Sequence, residues 1–500
     1  MLLYVVTVAA TSAGGLVLEI VAGRMLAPYV GMSLYTWTAI IAVVLAGFSL
    51  GHWVGGRIAA WPGPQAERAV AWVLLLAALS AAASLVLLRI LSGPLLALGL
   101  DPVASIVLLT GALFFMPSFF VGVPSPILTK LALDAAPRRS GPVLGRMYAA
   151  GAFGSILGTL AAGYLFISWF GTIWTALAVA ATYAAFAAVF FVRTFGVSRR
   201  AVLLPLVASA VAAAALTFAG WRVQAFVSPC TEESDYYCIR IVDISGDVDV
   251  DARLMVLDHL AHGMNVRDRP DTFLSSYAEL TDALARAHAS ERGGLSAFFV
   301  GGGAYTLPRA WVARPDKRVT VAEIDPAVTR LARQRMWLEA SPRLRVVHRD
   351  ARRVLRETQE SYDVIVGDAF HDIAVPQHLV TREFFELVHA RLRPGGIYIM
   401  NVVDRLEAPR LALSVLRTLQ TTFPVAEIWL DDEQAVTGGR TTFVLVAGTK
   451  PTQAEVHRSS AFDKRVWRRW PQDFISRLER RHPPLVLSDD FAPVDRLLGE

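Results

Sequence analysis

Four short stretches in the second half of the chain end in residue types suited to gripping a nucleoside. FFVGGG closes on Gly301, Gly302 and Gly303; VAEIDP carries Glu323; RDARRVL carries Asp350 and Ala351; YDVIVGDAF carries Asp368. Glycines let a backbone approach a ligand closely and adopt positive φ. An acid about twenty residues beyond such a turn is suited to accept hydrogen bonds from ribose hydroxyls. Asp350 can accept from an exocyclic adenine amine, while the N–H of the next residue, Ala351, serves a ring nitrogen. The glycines do not spell the dinucleotide fingerprint, and no phosphate-loop lysine follows them. Taken in order, the four strand ends point to an S-adenosyl ligand, whose positive sulfonium suits the surrounding acids. Asp325-Pro326 has a plainer reading as a helix start.

These residues need a sheet to bring them together. Short apolar runs at 295–303, 318–326 and 362–370 alternate with helical patterns such as AVTRLARQRMWLEA, and RLRVVHRD supplies a further strand. Strands alternating with helices predict a mostly parallel sheet, with ligands beyond the carboxyl ends of its strands. That is where Gly301–Gly303, Glu323, Asp350 and Asp368 fall.

The first half is of another kind. The chain is 54% hydrophobic over 500 residues, and the apolar excess lies before about residue 220. About seven segments are long enough to cross a bilayer, near 3–25, 36–58, 68–92, 103–134, 146–169, 172–195 and 201–219. The fourth carries Pro117, Pro124 and Pro126, which predict a kink or break. Gly154 and Gly158 have the spacing of close helix packing. GRMLAPYVG and GHWVGGRIA read as tight turns at membrane edges. Glu19 is costly inside an apolar span; it calls for Arg24 or Arg146 as a partner, or for a cation or proton. The net charge of +5 is modest and the arginines are scattered, so no nucleic-acid partner is expected.

Arginines concentrate in the loops after even-numbered spans, which places that side and the N-terminus in the cytoplasm. Seven spans then put the second half outside. The chain's two cysteines, Cys230 and Cys238, follow the last span. A disulfide there would agree with an oxidising compartment, whereas an adenosyl donor argues for the cytosol.

The second half resembles the spermidine synthase family, the aminopropyltransferases, over roughly residues 230 to 450. The resemblance rests on ESDYYCIRIVD, LMVLDHLAHG, SSYAEL, FVGGG, VAEIDP, RDARRVL, YDVIVGDAF and LRPGGIY. Together with the apolar half, it resembles a membrane-bound branch of that family. It implies a multi-span α-helical membrane domain over 1–220. A Rossmann-like α/β S-adenosyl-dependent transferase domain with a small N-terminal β region then covers 229–450, before a charged tail over 451–500. The implied donor is decarboxylated S-adenosylmethionine as co-substrate, with no permanently bound cofactor and no metal. The implied acceptor is putrescine or a similar diamine. Other expected partners are the lipid bilayer of a cell membrane, crossed several times, and further copies of the chain, since oligomers are common in the family.

By resemblance Asp368 is the catalytic acid, Glu323 the ribose ligand and Asp350 the adenine ligand. Tyr237 falls where a donor-contacting glutamine is common, and Tyr277 matches a substrate-site tyrosine. Three departures bear on amine recognition. Ala304 replaces an aspartate that holds the donor's propylamine end, Ala278 replaces a histidine, and DAFHD leaves Asp372 one residue further along as a substitute acid. Two other functions fit the same residues: an S-adenosylmethionine-dependent methyltransferase-like enzyme, and a non-catalytic transporter or sensor that binds a polyamine or nucleoside.

Overall fold

The computed structural model describes residues 1–499 except 196–198, 290–293, 371–374, 433–438 and 462–463. Its backbone divides into two compact units, Met1–Cys238 and Ile239–Glu500.

The first unit is helical: α1 (Leu2–Val30), α2 (Leu34–Ile58), α3 (Gly63–Ala97), α4 (Pro102–Gly122), α5 (Pro124–Asp134), α6 (Ser140–Ala161), α7 (Ile167–Phe195) and α8 (Arg199–Arg222). Ser33 caps α2 by accepting from the Thr36 N–H. Asp101 caps α4 ahead of Pro102, where a missing N–H costs nothing. The proline-rich fourth segment divides at Val123 between α4 and α5, with Val123 itself keeping helical angles (φ −64°, ψ −40°). Among the described residues, five helical runs are long and apolar enough to cross a membrane. The last of them, Pro137–Thr194, has 58 residues, about 87 Å of helix if straight. Gly171 interrupts it with φ 74°, so it supplies two lengths rather than one.

GRMLAPYVG and GHWVGGRIA are not turns. α1 continues to Val30 and α2 to Ile58. The glycines of the second stretch serve packing: a Cβ on Gly51 would lie 2.2 Å from the Phe119 carbonyl oxygen, and one on Gly55 2.3 Å from that of Val123. Gly154 and Gly158 admit the Ala9 and Ala13 carbonyls at similar distances, the close approach their spacing predicts.

The unit ends where residues 227–238 settle against one end of the bundle. Arg89 donates to the Val227 carbonyl at 2.6 Å, and Arg24 to the carbonyls of Tyr236, at 2.6 Å, and Ser234. Glu233, in the short strand β1 (Glu232–Glu233), accepts from the Thr172 N–H at 2.9 Å. Cys230 and Cys238 are joined in a disulfide.

The second unit opens with a small antiparallel sheet, β2 (Cys238–Asp243), β3 (Ala252–Leu257) and β4 (Leu260–Val266). A mixed nine-stranded sheet follows. It contains β5 (Leu295–Val300), β6 (Lys317–Ala322), β7 (Leu344–Val347), β8 (Tyr362–Gly367), β9 (Leu392–Arg405), β10 (Val425–Asp431), β11 (Arg440–Gly448), β12 (Val456–Arg458) and β13 (Val466–Arg469). The order is β12-β13-β10-β11-β9-β8-β5-β6-β7. β7, β6, β5, β8 and β9 run parallel, and β11, β10, β13 and β12 add antiparallel neighbours. β5 has β6 on one side and β8 on the other, so the chain's direction across the sheet reverses there. Such a reversal opens a crevice at the carboxyl edge. Helices cover the sheet with buried side chains such as Trp311, Phe384, Phe385 and Leu416. Residues after 450 belong to this unit too, with Trp467 and Leu487 buried.

Candidate active site at the carboxyl edge of the sheet

Strand register assembles the site. Val300 pairs with Ala322 on one side and Gly367 on the other, so the next residues, Gly301, Glu323 and Asp368, meet at the rim. Gly301 has φ 91°, and a Cβ there would lie 2.5 Å from the Asp368 carbonyl oxygen. Only glycine combines that conformation with that approach. The turn ends on Tyr305, a non-glycine residue at φ 58°. Its buried hydroxyl lies 2.6 Å from Thr329 Oγ1 and anchors the turn.

Each rim acid is held by a different device. Glu323 is 6% exposed; one oxygen accepts from the Gly302 N–H at 2.7 Å and the other from Asp325 at 2.9 Å. A carboxylate oxygen has two lone pairs, so acceptor capacity remains on Glu323 for a sugar hydroxyl. Burial pushes the Glu323 pKa up against the pull of these N–H donors. Asp350 caps the helix Ala351–Glu357, accepting from Arg353 N–H at 2.9 Å, and its second oxygen lies 2.8 Å from His378 Nε2. The His378 contact leads the effects that lower its pKa. Ala351 opens that helix, so its N–H belongs to the first-turn donors that no helical carbonyl satisfies.

Asp368 is the poised acid. Gly367 pairs with Met400, which sets Asn401 beside Asp368, and Asn401 Nδ2 donates to Asp368 Oδ1 at 3.0 Å. Burial raises the Asp368 pKa to about 6. Tyr277 is held neutral chiefly by burial and secondly by the charge of Asp368, which marks the two as neighbours. His262 lies beside the turn, its ring edge-on to Phe370 at 6.3 Å. Burial, with His259 adding to it, lowers the His262 pKa to about 4, so the ring is neutral at pH 7.

Residues 290–448 match the spermine/spermidine synthase domain family. The match lies wholly within the C-terminal unit. Curated relatives include a probable polyamine aminopropyl transferase of Bifidobacterium longum, 34% identical over 18% of this chain and 19% of its own length. Polyamine aminopropyltransferase 1 of Streptomyces coelicolor is 27% identical over 60% of this chain and 59% of its own length. The chain thus spans less than two thirds of either relative. A solved structure of a probable spermidine synthase from Corynebacterium glutamicum aligns at 23% identity and TM-score 0.43, covering 52% of this chain and 95% of that one.

Within this unit, Gly301–Gly303, Glu323, Asp350, Ala351, Asp368 and Tyr277 lie at or beside the carboxyl edge. Asp372 falls outside the described residues. Tyr237 belongs to the last residues of the helical unit, its ring 6.2 Å from that of Tyr236. Ala304 is 1% exposed and Ala278 2%, so both are packed in. The Ala304 carbonyl accepts from Asn265 Nδ2 at 2.8 Å. Sequence reasoning missed Asn401, His378 and His262. Asn401 left a usable signal: it is an amide inside the apolar strand IYIMNVV.

Proposed function

We propose that the chain is a membrane-bound aminopropyltransferase. It moves the propylamine group of decarboxylated S-adenosylmethionine to putrescine and releases spermidine and methylthioadenosine. The observation that carries this reading is Asp368: a carboxylate raised to about 6, steadied by Asn401 and neighbouring Tyr277, one strand away from the glycine turn. In this reading Gly301–Gly303, Glu323, Asp350 and Ala351 take the adenosine. Tyr237 meets the donor, and Tyr277 and Asp372 meet the acceptor amine. The unprotonated amine attacks the methylene carbon next to the sulfonium. A C–N bond forms as the C–S bond breaks, the electron pair goes to sulfur, and the neutral thioether leaves. The proton shed by the new ammonium passes to Asp368, which is charged at pH 7.5 yet basic enough to accept it.

Ala304 favours a second reading. The resembling family keeps an acid there for the donor's amine, and a buried methyl cannot replace it. That residue points instead to ordinary S-adenosylmethionine and transfer of a methyl group. Solubilised protein incubated with each donor and putrescine separates the two. Methylthioadenosine and spermidine from the decarboxylated donor alone support aminopropyl transfer. Binding of ordinary S-adenosylmethionine without those products supports the second reading. Absence of turnover with both donors refutes the enzyme.

The helical unit, in this proposal, crosses a cell membrane several times. Its outward face carries Phe153, Leu157, Trp169 and Trp174, all strongly exposed, as a lipid-facing surface requires. The disulfide supports an oxidising environment for the chain's exit from the bundle. An impermeant thiol reagent applied to intact cells should label Cys230 after reduction and not before. Labelling without reduction rejects the disulfide, and absence of labelling after reduction rejects that side.

A further inference from the structure

We infer that the helical unit holds a binding site for a linear aliphatic amine, with the amine's terminal ammonium on Glu19. A cavity of about 640 Å³ lies among α1, α2, the α4–α5 junction and α6. That volume is in the range of small-molecule sites. Val8 and Glu19 of α1 both line it, and their separation along the helix makes it about 16 Å long. Lys130, near the end of α5, and Glu19, near the middle of α1, both line it.

The lining has a polar track on an apolar wall. Leu16, Leu45, Phe48 and Val121 supply the wall. Ser12, Ser125, Thr129 and Ser155 supply hydroxyls along the same cavity. Elsewhere in the bundle Thr7, Thr11, Ser80 and Ser84 return their hydroxyls to carbonyls of the preceding turn. The four cavity hydroxyls make no such bond among the described residues.

Glu19 is the decisive group. A carboxylate at this depth is expensive unless paired. Neither arginine that its sequence context offers is its partner: Arg24 is spent on the carbonyls of Ser234 and Tyr236, and Arg146 makes no ion pair with it. The basic groups on the lining are accounted for. Lys130 pairs with Asp134, and His52 Nδ1 lies 2.6 Å from the Phe48 carbonyl. Among the described residues the cavity therefore has one anionic anchor without a cation, hydroxyl acceptors along the same lining, and a long apolar wall. A primary ammonium brings three donors, and a methylene chain matches the wall. The inference stands on this cavity alone and does not depend on the transferase reading.

The test uses the full chain in lipid nanodiscs with 1,4-diaminobutane as probe. A hydrophobic carbodiimide should modify Glu19, mapped by peptide mass spectrometry. Saturating diamine should slow that modification about tenfold, as an ion pair worth one decade of affinity would. Glu19→Gln should lose one equivalent of diamine binding by calorimetry while Glu19→Asp keeps it. A modification rate indifferent to the diamine overturns the proposal, as does an unchanged stoichiometry in Glu19→Gln. The carbodiimide arm needs no variant, so it decides even where Glu19→Gln does not fold. Methylthioadenosine release is read separately, so the enzyme assignment can fail while this site stands, and the reverse.

Discussion

The acids at the rim of the sheet and Glu19 in the helical bundle are held in opposite ways. At the rim of the sheet every carboxylate has a partner built into the chain: Gly302 and Asp325 for Glu323, His378 and Arg353 for Asp350, Asn401 for Asp368. In the helical bundle Glu19 has none among the described residues. The rim acids are fixed in geometry before any ligand arrives, which is what a reaction centre requires. The bundle acid is instead placed to meet a positive charge from outside the chain.

The largest test of this contrast is Asp368→Asn. It should reduce turnover by about a thousandfold or more, with methylthioadenosine affinity by calorimetry changed only a few-fold. The same substitution carries a stability sign. The folded pKa is raised from 3.8 to about 6, so the protonated form favours the fold. That contribution is complete below about pH 4 and is lost as pH rises through 6. The neutral amide should therefore stabilise the protein at pH 7.5 by on the order of 3 kcal/mol, with no gain at pH 4, measured as thermal melting of the two proteins.

Glu323→Gln comes next. It keeps one acceptor but removes the second oxygen that holds the turn, and should weaken methylthioadenosine binding by roughly ten- to a hundredfold. Unchanged affinity would mean that the sugar lies elsewhere. In the bundle, Gly154→Leu should cost about 2–3 kcal/mol of stability, because a Cβ there already lies 2.2 Å from the Ala9 oxygen. Gly145→Ala on the same helix, with open space at that position, should melt like the parent. The smallest effect belongs to Asn401→Ala. Removing a donor to the charged acid raises its pKa, so the acidic limb of the rate profile should move up by less than about one pH unit.

Much of this site was legible because strand ends are local. Each of FFVGGG, VAEIDP and YDVIVGDAF carries an apolar run and its terminal polar residue in one short window, and parallel register does the rest. What the sequence hid was pairing between windows. Asn401 reaches Asp368 through β8–β9 register, and His378 reaches Asp350 from a short 3-10 turn twenty-eight positions later. The partner expected for Glu19 failed for a related reason: Arg24 is nearby on α1 but caps carbonyls at the bundle's end, where residues 234–236 arrive. The glycines of GHWVGGRIA were misread because a Gly-rich window looks the same whether it bends a chain or admits a neighbouring helix. Only the carbonyls of Phe119 and Val123 distinguish the two.

The bridge between Cys230 and Cys238 spans eight positions. Closing so short a ring removes about 2.5 kcal/mol of freedom from the unfolded strand. It fastens the seam after the last helix without drawing on distant parts of the molecule. A host whose thiols stay reduced would make this chain with that seam open, so recombinant yield should follow the oxidising capacity of the expression strain more closely than it follows temperature or induction.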